Sequence, residues 1–208
     1  LDILGQELLI SSHGYRADGY LALIRLAEEF GFRVQTLQHA IEAYKLAPEL
    51  AEAGVAAAVW SDWGGFKMEA YDASKYNARI LMETVSLHSD NGQIASRMNW
   101  EAGKLLRTGL TEEQAMTTVT INAAKVLAID ERTGSLEAGK DADFVVWSGN
   151  PLSQFTKAEQ TWIDGRRYFS LEEDAALRVQ VQSERQQLIQ AILAAGGGGN
   201  RGTNGGGN

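Results

Sequence analysis

Four short apolar runs, separated by polar turns and helical patterns, occupy the first 90 residues of the chain. The runs span residues 8–13, 34–39, 55–60 and 85–90, and each has the length of a buried strand. Apolar residues at helical spacing follow the first three runs, over residues 18–30, 44–53 and about 74–82. Gly31 and Gly54 stand where the first two helices should end. The pattern therefore predicts strands and helices in alternation.

Alternation of this kind is typical of a parallel sheet with helical crossovers. A (β/α)8 barrel averages about 30 residues per unit, because about 250 residues form its eight units. The predicted strands end near residues 13, 39, 61 and 90, and this spacing fits four such units. We therefore expect an α/β fold in which residues 1–128 form half of a (β/α)8 TIM-type barrel.

Beyond residue 90 the pattern changes to helices. Residues 101–108 are predicted to be helical, and Thr111 is placed to cap a further helix that continues into residues 117–126. A long charged amphipathic helix is predicted over residues 171–195, and the remaining residues, 196–208, form a glycine- and asparagine-rich tail that should be disordered. The apolar stripe of the long helix consists of Leu177, Val181, Leu188 and Ile192.

Residues 129–170 carry short β patterns rather than further barrel units. Strands are predicted at residues 134–136, 143–147, 161–163 and 167–169. Asp164 and Gly165 between the last two strands are a hairpin turn signal, because both residues tolerate positive φ. We expect this segment to form a small composite β element.

Composition limits the classes of function. The chain has 27 acidic and 19 basic residues, and its net charge of -8 argues against a nucleic acid or an anionic membrane as partner. No apolar run approaches the roughly 20 residues that a membrane span needs. There is no cysteine, so a transition metal would have to use His, Asp or Glu. The first residues lack an initiator Met and a signal sequence, and we expect the sequence to begin inside a longer protein, cytoplasmic or periplasmic.

Three potential metal ligands occur at predicted strand ends: His13, His39 and Asp90. In a closed barrel the carboxyl ends of all strands open on one face, where active sites lie. Neutral imidazole and carboxylate groups suit Zn²⁺ and similar divalent ions. A histidine at a strand end is, however, more often a hydrogen-bonded structural residue, and an aspartate there is often the cap of the next helix. The spacing leaves both interpretations open.

Several motifs resemble the amidohydrolase superfamily, and the imidazolonepropionase-like amidohydrolases above all. Residues 13–18 (HGYRAD) resemble its fifth-strand region, residues 38–40 (QHA) the sixth, and residues 89–90 (SD) the eighth. Residues 134–147 (GSLEAGKDADFVVW) are similar to the family's return into its small β-sandwich. The resemblance implies the C-terminal half of the barrel plus part of that sandwich. It also implies that His13 and His39 bind metal, and that Asp90 is both a ligand and the general base.

Other polar residues lie near the same strand ends. Arg16 is a candidate for binding a substrate carboxylate, although a surface ion pair is the default interpretation. Lys67 and Glu69 are candidates for substrate contact, with a solvated loop as the alternative. For His88, packing in the interior is favoured over a supporting contact to a metal ligand. Trp60 is interpreted as loop packing rather than as a stacking platform.

The resemblance implies the C-terminal part of a hydrolase that cleaves non-peptide or cyclic amide C–N bonds, or those of small peptides, by a metal-activated water. The metal would be zinc, as one or two ions. The family's first-strand His-x-His pair and its fourth-strand Lys or Glu ligand have no counterpart in this sequence. We therefore expect the isolated chain to be inactive and to pair with an N-terminal half, on a separate or cleaved chain, or with itself. The alternatives are a non-catalytic assembly half that retains only the fold, or a truncated sequence.

Overall fold

A four-stranded sheet organises the first half of the computed structural model, which describes residues 2–196. Its strands lie side by side in chain order, and all neighbours are parallel. The predicted strands are confirmed, although each is shorter than its apolar run. The strands are β1 (Ile10–His13), β2 (Val34–Gln38), β3 (Ala56–Val59) and β4 (Val85–Leu87).

Helices connect these strands as the alternating pattern predicts. Helix α1 (Ala17–Phe30) joins β1 to β2, and a 3-10 turn (Ala43–Leu46) followed by α2 (Ala47–Ala53) joins β2 to β3. The predicted helix over residues 74–82 is reduced to α3 (Asn77–Ile80) and a 3-10 turn, Met82–Thr84. Gly31 and Gly54 end α1 and α2 in left-handed conformations, with φ of 70° and 64°. Both predicted stops are therefore confirmed.

The core lies between the sheet and its helices. Leu37 and Val85 of the sheet are fully buried, and Leu50 of α2 is equally inaccessible. Strands of a parallel sheet covered by helices read as continuous apolar runs, because neither face meets water. This mixed α/β arrangement is consistent with part of a (β/α)8 barrel.

Five helical segments follow β4: α4 (Gly92–Ala95), α5 (Met98–Gly103), a 3-10 helix (Lys104–Thr108), α6 (Glu112–Thr117) and α7 (Ile121–Val126). Thr111 caps α6 in a capping box with Gln114, which confirms the predicted start of that helix. The predicted continuation into residues 117–126 is wrong. The hydroxyl groups of Thr117, Thr118 and Thr120 donate to carbonyl oxygens three or four residues earlier. Such bonds compete with the helical pattern, and the chain breaks at Thr120.

A second, antiparallel sheet contains β5 (Phe144–Trp147), β6 (Ala158–Ile163) and β7 (Arg166–Ser170). Asp164 and Gly165 have φ of 50° and 69°, which confirms the hairpin turn between β6 and β7. The strand predicted at residues 134–136 is wrong, because that segment is a turn in which Gly134 has φ of 90°.

Helix α8 (Leu171–Gly196) confirms the long C-terminal helix, and its predicted apolar stripe is exposed in the described structure. None of its residues within the described structure is buried, and Leu177 and Ile192 are 58% and 69% exposed. The helix contacts β6 and β7 and otherwise projects from them. Among residues 2–196 no helix is both long and apolar enough to cross a bilayer. Disorder is predicted for residues 196–208. Gly196 is helical, and residues 197–208 lie outside the described residues.

Candidate metal and substrate site

Two histidines meet at the carboxyl edge of the parallel sheet. His13 is the last residue of β1, and it pairs in register with Gln38, the last residue of β2. His39 therefore follows β2 directly beside the end of β1. The two imidazole rings are 4.8 Å apart between centroids and nearly perpendicular, with an interplanar angle of 82°. The parallel register thus brings together two of the three predicted ligands.

His39 occupies a backbone conformation that few residues other than glycine adopt. Its φ is 56°, and Asp90 has the same value at the end of the fourth predicted run. Such residues cost about 1–3 kcal/mol and persist where surrounding contacts impose them, which is common at functional sites. For His39 these contacts include a hydrogen bond from the Ile41 N–H to its carbonyl, at 2.6 Å.

The His39 ring is held between two aromatic rings. Tyr15 stacks on one side, 5.6 Å away and tilted by 8°, and Trp60 stacks at 4.9 Å with a tilt of 16°. Burial lowers the pKa of His39, and the nearby charges of His13 and Lys67 lower it further, while Asp90 opposes them. The neutral imidazole, which is the form that binds a metal, is therefore favoured. The interpretation of Trp60 as loop packing missed this contact with the candidate ligand.

His88 packs against the same cluster, as the favoured interpretation predicted. Its ring lies 4.8 Å from His39 and 4.5 Å from Trp60, and burial lowers the pKa of His88 to about 4. The fourth strand ends at Leu87, so His88 and Asp90 lie after the strand in the chain. The buried atoms His88 Nε2 and His39 Nδ1 have no hydrogen-bond partner among the described residues.

The donor types fit a zinc ion, but the described residues supply only part of a site. Within residues 2–196, no group of three or more His, Cys, Asp or Glu side chains is arranged to hold a metal. Asp90 is exposed, and its charge acts on the pKa values of both His39 and His88. The structure therefore presents a pair of imidazoles with a carboxylate in their vicinity.

A groove of about 520 Å³ opens beside His13 and includes Tyr15, Arg16 and Glu69 in its lining. Arg16 makes an ion pair with Asp18, with 3.1 Å between Nε and Oδ1, and both side chains are largely exposed. This is the surface ion pair that was the default interpretation of Arg16. Glu69, in a 3-10 turn after β3, is exposed at the groove.

Lys67 is linked to the site by a contact with the aromatic ring of Tyr15. Its ammonium nitrogen is 3.6 Å from the centroid of the Tyr15 ring, on which His39 stacks. A cation over an aromatic face is stabilised by the ring quadrupole. Lys67 therefore contacts a ring that stacks on His39, and its charge contributes to the lowered pKa of His39.

Three polar residues support this region without any signal in the sequence. The buried Glu101 carboxylate accepts hydrogen bonds from Ser61, at 2.7 Å, and from Lys104, at 2.8 Å. Glu42 and Asn77 are also buried: the Glu42 carboxylate accepts from the backbone N–H of Ala17, and the Asn77 amide donates to the carbonyl of Ala40, next to His39. Each lies in a helical or loop pattern where a charged or amide residue is usually solvated. The spacing of apolar residues therefore does not distinguish these buried residues from ordinary surface residues.

The chain resembles known amidohydrolases over most of its described length. A profile of the Amidohydrolase family matches residues 45–167, more than half of the chain. The amidohydrolase tasK of Hapsidospora irregularis is 31% identical over 172 residues, which cover 78% of this chain and 17% of that protein. An imidazolonepropionase of Shewanella frigidimarina is 58% identical over 49 residues, 24% of this chain and 12% of that protein.

Solved structures agree with the sequence matches. An amidohydrolase from Thermotoga maritima superposes with a TM-score of 0.75 and 34% identity, covering 81% of this chain and 45% of that chain. A zinc-bound adenosine deaminase from Xanthomonas campestris shares the fold at 18% identity, with a TM-score of 0.58. The chain thus spans less than half the length of the curated relatives and of the Thermotoga structure. The resemblance seen in the motifs is confirmed: this chain belongs to the amidohydrolase family.

Proposed function

We propose that this chain is the C-terminal part of a metal-dependent amidohydrolase and contributes His13 and His39 as ligands of a divalent metal, zinc. The observation that carries the proposal is the contact of the two imidazoles, 4.8 Å apart at the carboxyl ends of adjacent parallel strands. Zinc in catalytic sites takes imidazole and carboxylate ligands and keeps an open position for water. The unpartnered Nδ1 atom of His39 supports the fit, because a buried nitrogen without a partner is costly.

The carboxylate of Asp90 is proposed as the general base. When bound, the metal would lower the pKa of a water molecule toward about 7 and polarise the amide carbonyl. Asp90 would accept the proton from that water as the water oxygen forms a bond to the carbonyl carbon, and would return the proton to the leaving nitrogen as the C–N bond breaks. Asp90 is exposed and its charge raises the pKa of His39, which supports this role.

The proposed substrates are non-peptide or cyclic amides and small peptides, bound in the groove beside His13. Arg16 and Glu69 at this groove offer opposite charges, and Lys67 adds a positive charge above Tyr15. Arg16 would have to exchange Asp18 for a substrate carboxylate, which an exposed ion pair permits at little cost. The match to an imidazolonepropionase makes imidazolonepropionate a suitable first probe.

The remaining ligands are proposed to come from an N-terminal half of the barrel, on a separate or cleaved chain, or from a second copy. Within the described part of the chain, β1 pairs on one side only, with β2. The segment leading into β1 exposes Leu8 and Leu9 by 54% and 61%. A free strand edge beside exposed apolar side chains favours association with another chain.

Metal content and turnover test the proposal together. Elemental analysis of the chain combined with its N-terminal half should find bound zinc that is lost in His13→Ala and His39→Ala. Glu159→Gln, a change of an exposed carboxylate in the second sheet, is the matched control for Asp90→Asn. Full hydrolysis of imidazolonepropionate or other cyclic amides should require the N-terminal half and should be lost in Asp90→Asn but not in the control.

Two results would contradict this assignment. A folded chain that binds no metal even when combined with its N-terminal half would favour the non-catalytic assembly half. Turnover by the isolated monomer at the rate of a complete enzyme would show that no further ligands are needed.

A further inference from the structure

Asn77 lies at the first position of α3, 38 residues after His39 in the chain, and reaches back to the turn that follows it. Its side chain is 3% exposed. The amide nitrogen Nδ2 donates to the carbonyl oxygens of Ala40, at 2.8 Å, and Ile41, at 3.1 Å. The amide oxygen Oδ1 accepts from the backbone N–H of Tyr44, at 3.0 Å. Both donor hydrogens and the acceptor oxygen are therefore used on a five-residue stretch of backbone.

This stretch begins immediately after the candidate ligand. His39 itself is in the left-handed region, which is unfavourable for a residue with a Cβ. The neighbouring Ala40 N–H donates to the Ala58 carbonyl of β3, at 3.1 Å, so the turn is fixed to the sheet at one point. Asn77 fixes the rest of the turn from the opposite direction. An amide with three hydrogen bonds, two of them buried, can impose the strained φ, because releasing it would leave backbone groups unpaired.

We propose that Asn77 is a positioning residue, which sets the orientation of the His39 imidazole through the backbone turn before any ligand binds. The inference rests on the proposed function, in which His39 is a metal ligand. Ligand side chains must be held within about 0.5 Å and 10–20° of the productive geometry by the residues around them. The ring of His39 meets this need only while its backbone keeps it between Tyr15 and Trp60.

The stacked rings provide a signal for the test. The Tyr15 and Trp60 rings stack nearly parallel to the His39 ring, so their ring currents should shift the His39 imidazole resonances upfield. The chain contains three histidines, so variants in which one histidine at a time is replaced assign the imidazole resonances in a proton NMR spectrum. The measurement uses the whole chain in the presence of a chelator and at one pH, so that it reports geometry and neither metal binding nor turnover.

Asn122 offers a matched control. It is also buried, at 7% exposure, and its Nδ2 donates to two backbone carbonyls, those of Val85 at 2.9 Å and Met82 at 3.3 Å. These carbonyls lie at the start of β4, away from the turn after β2. Asn77→Ala and Asn122→Ala should therefore destabilise the fold to a similar degree, but only Asn77→Ala should remove roughly half or more of the upfield shift of His39.

Three outcomes decide the inference. An unchanged His39 resonance in folded Asn77→Ala would overturn it, and so would an equal change in Asn122→Ala, which would indicate a general loosening of the fold. If Asn77→Ala does not fold, Asn77→Ser is measured in its place. Its hydroxyl keeps one donor, so it should lose part of the upfield shift of His39, and a wild-type His39 resonance in Asn77→Ser would refute the role. Loss of zinc binding in His13→Ala and His39→Ala is a separate measurement, so the proposed function and this inference can fail independently.

Discussion

Glu42 should stabilise the chain by capping a helix to which it is not adjacent in sequence. Its carboxylate is 6% exposed, and Oε2 accepts a hydrogen bond from the N–H of Ala17, the first residue of α1, at 2.8 Å. Within the described structure, the N-cap residue Arg16 makes no side-chain capping bond. The backbone N–H of Glu42 also donates to the Tyr15 carbonyl, at 3.1 Å. Glu42 thus ties the turn after His39 to the turn after His13.

The expected loss on Glu42→Ala follows from these contacts. A side-chain cap contributes about 1 kcal/mol, and a hydrogen bond to a charged group contributes about 1.5–3 kcal/mol. A carboxylate near a helix N-terminus adds about 0.3–1 kcal/mol through the helix dipole. These contributions overlap because they describe one contact, so we expect Glu42→Ala to lower the free energy of unfolding by about 2–3 kcal/mol. Glu42→Gln keeps an acceptor oxygen and loses the charge, and should cost about half as much.

Urea denaturation at neutral pH measures both losses, provided that the slope with denaturant stays constant between variants. Glu49→Ala is the control, since Glu49 is an exposed acidic residue in the first turn of α2 and its removal should change stability by less than about 0.5 kcal/mol. A Glu42→Ala variant as stable as this control would refute the capping argument. Equal losses in Glu42→Gln and Glu42→Ala would show that the charge, and not the hydrogen bond, accounts for the effect.

Two further changes test the fold around the site. Burial raises the pKa of Asp62, but the hydrogen bonds and charges of Lys104 and Arg107 outweigh it and hold that pKa below its usual value. The stability from this pairing is complete above the unfolded-state pKa of about 3.9 and is lost as the pH falls through the lower folded-state pKa. As the pH falls from about 5 to about 3, the denaturation midpoint of Asp62→Asn should therefore decline less than that of the unmodified chain. An identical decline in both would contradict the stabilising pairing of Asp62 with Lys104 and Arg107. Gly134→Ala should cost more than Gly139→Ala in thermal denaturation. The two glycines have similar positive φ values, 90° at Gly134 and 97° at Gly139. A Cβ at Gly134 would lie 2.7 Å from the Ala124 Cβ, whereas a Cβ at Gly139 would meet no described atom within 4 Å. Equal losses would mean that backbone conformation alone sets the cost.

Local chemistry accounts for what the sequence determined. Strand positions followed from apolar runs, and helix ends followed from Gly31 and Gly54, because a left-handed φ excludes most other residues. The cap at Thr111 and the turn at Asp164 were equally readable, since each depends on neighbours within a few residues. The strand ends placed His13 beside His39 because parallel strands carry successive carboxyl ends to one edge.

The failures at sequence level also have local causes. The helix predicted to continue past Thr117 breaks because threonine hydroxyls compete for carbonyl oxygens, an effect that apolar spacing does not register. The apolar stripe predicted on α8 is exposed in the described structure, because periodicity indicates a face of a helix and not what covers that face. The strand predicted to reach Asp90 stops at Leu87.

Tertiary structure alone decided how the site is supported. Asn77 binds the turn after His39 from 38 residues away, and Glu42 caps α1 across the boundary between two strand units. Trp60 reaches the His39 ring from the end of β3. These contacts join residues distant in the chain, and their energies depend on burial and angle. Sequence determined which residue types stand at the strand ends, whereas the fold decided which of them touch. Only folding removes the water that would otherwise form hydrogen bonds with each polar group separately.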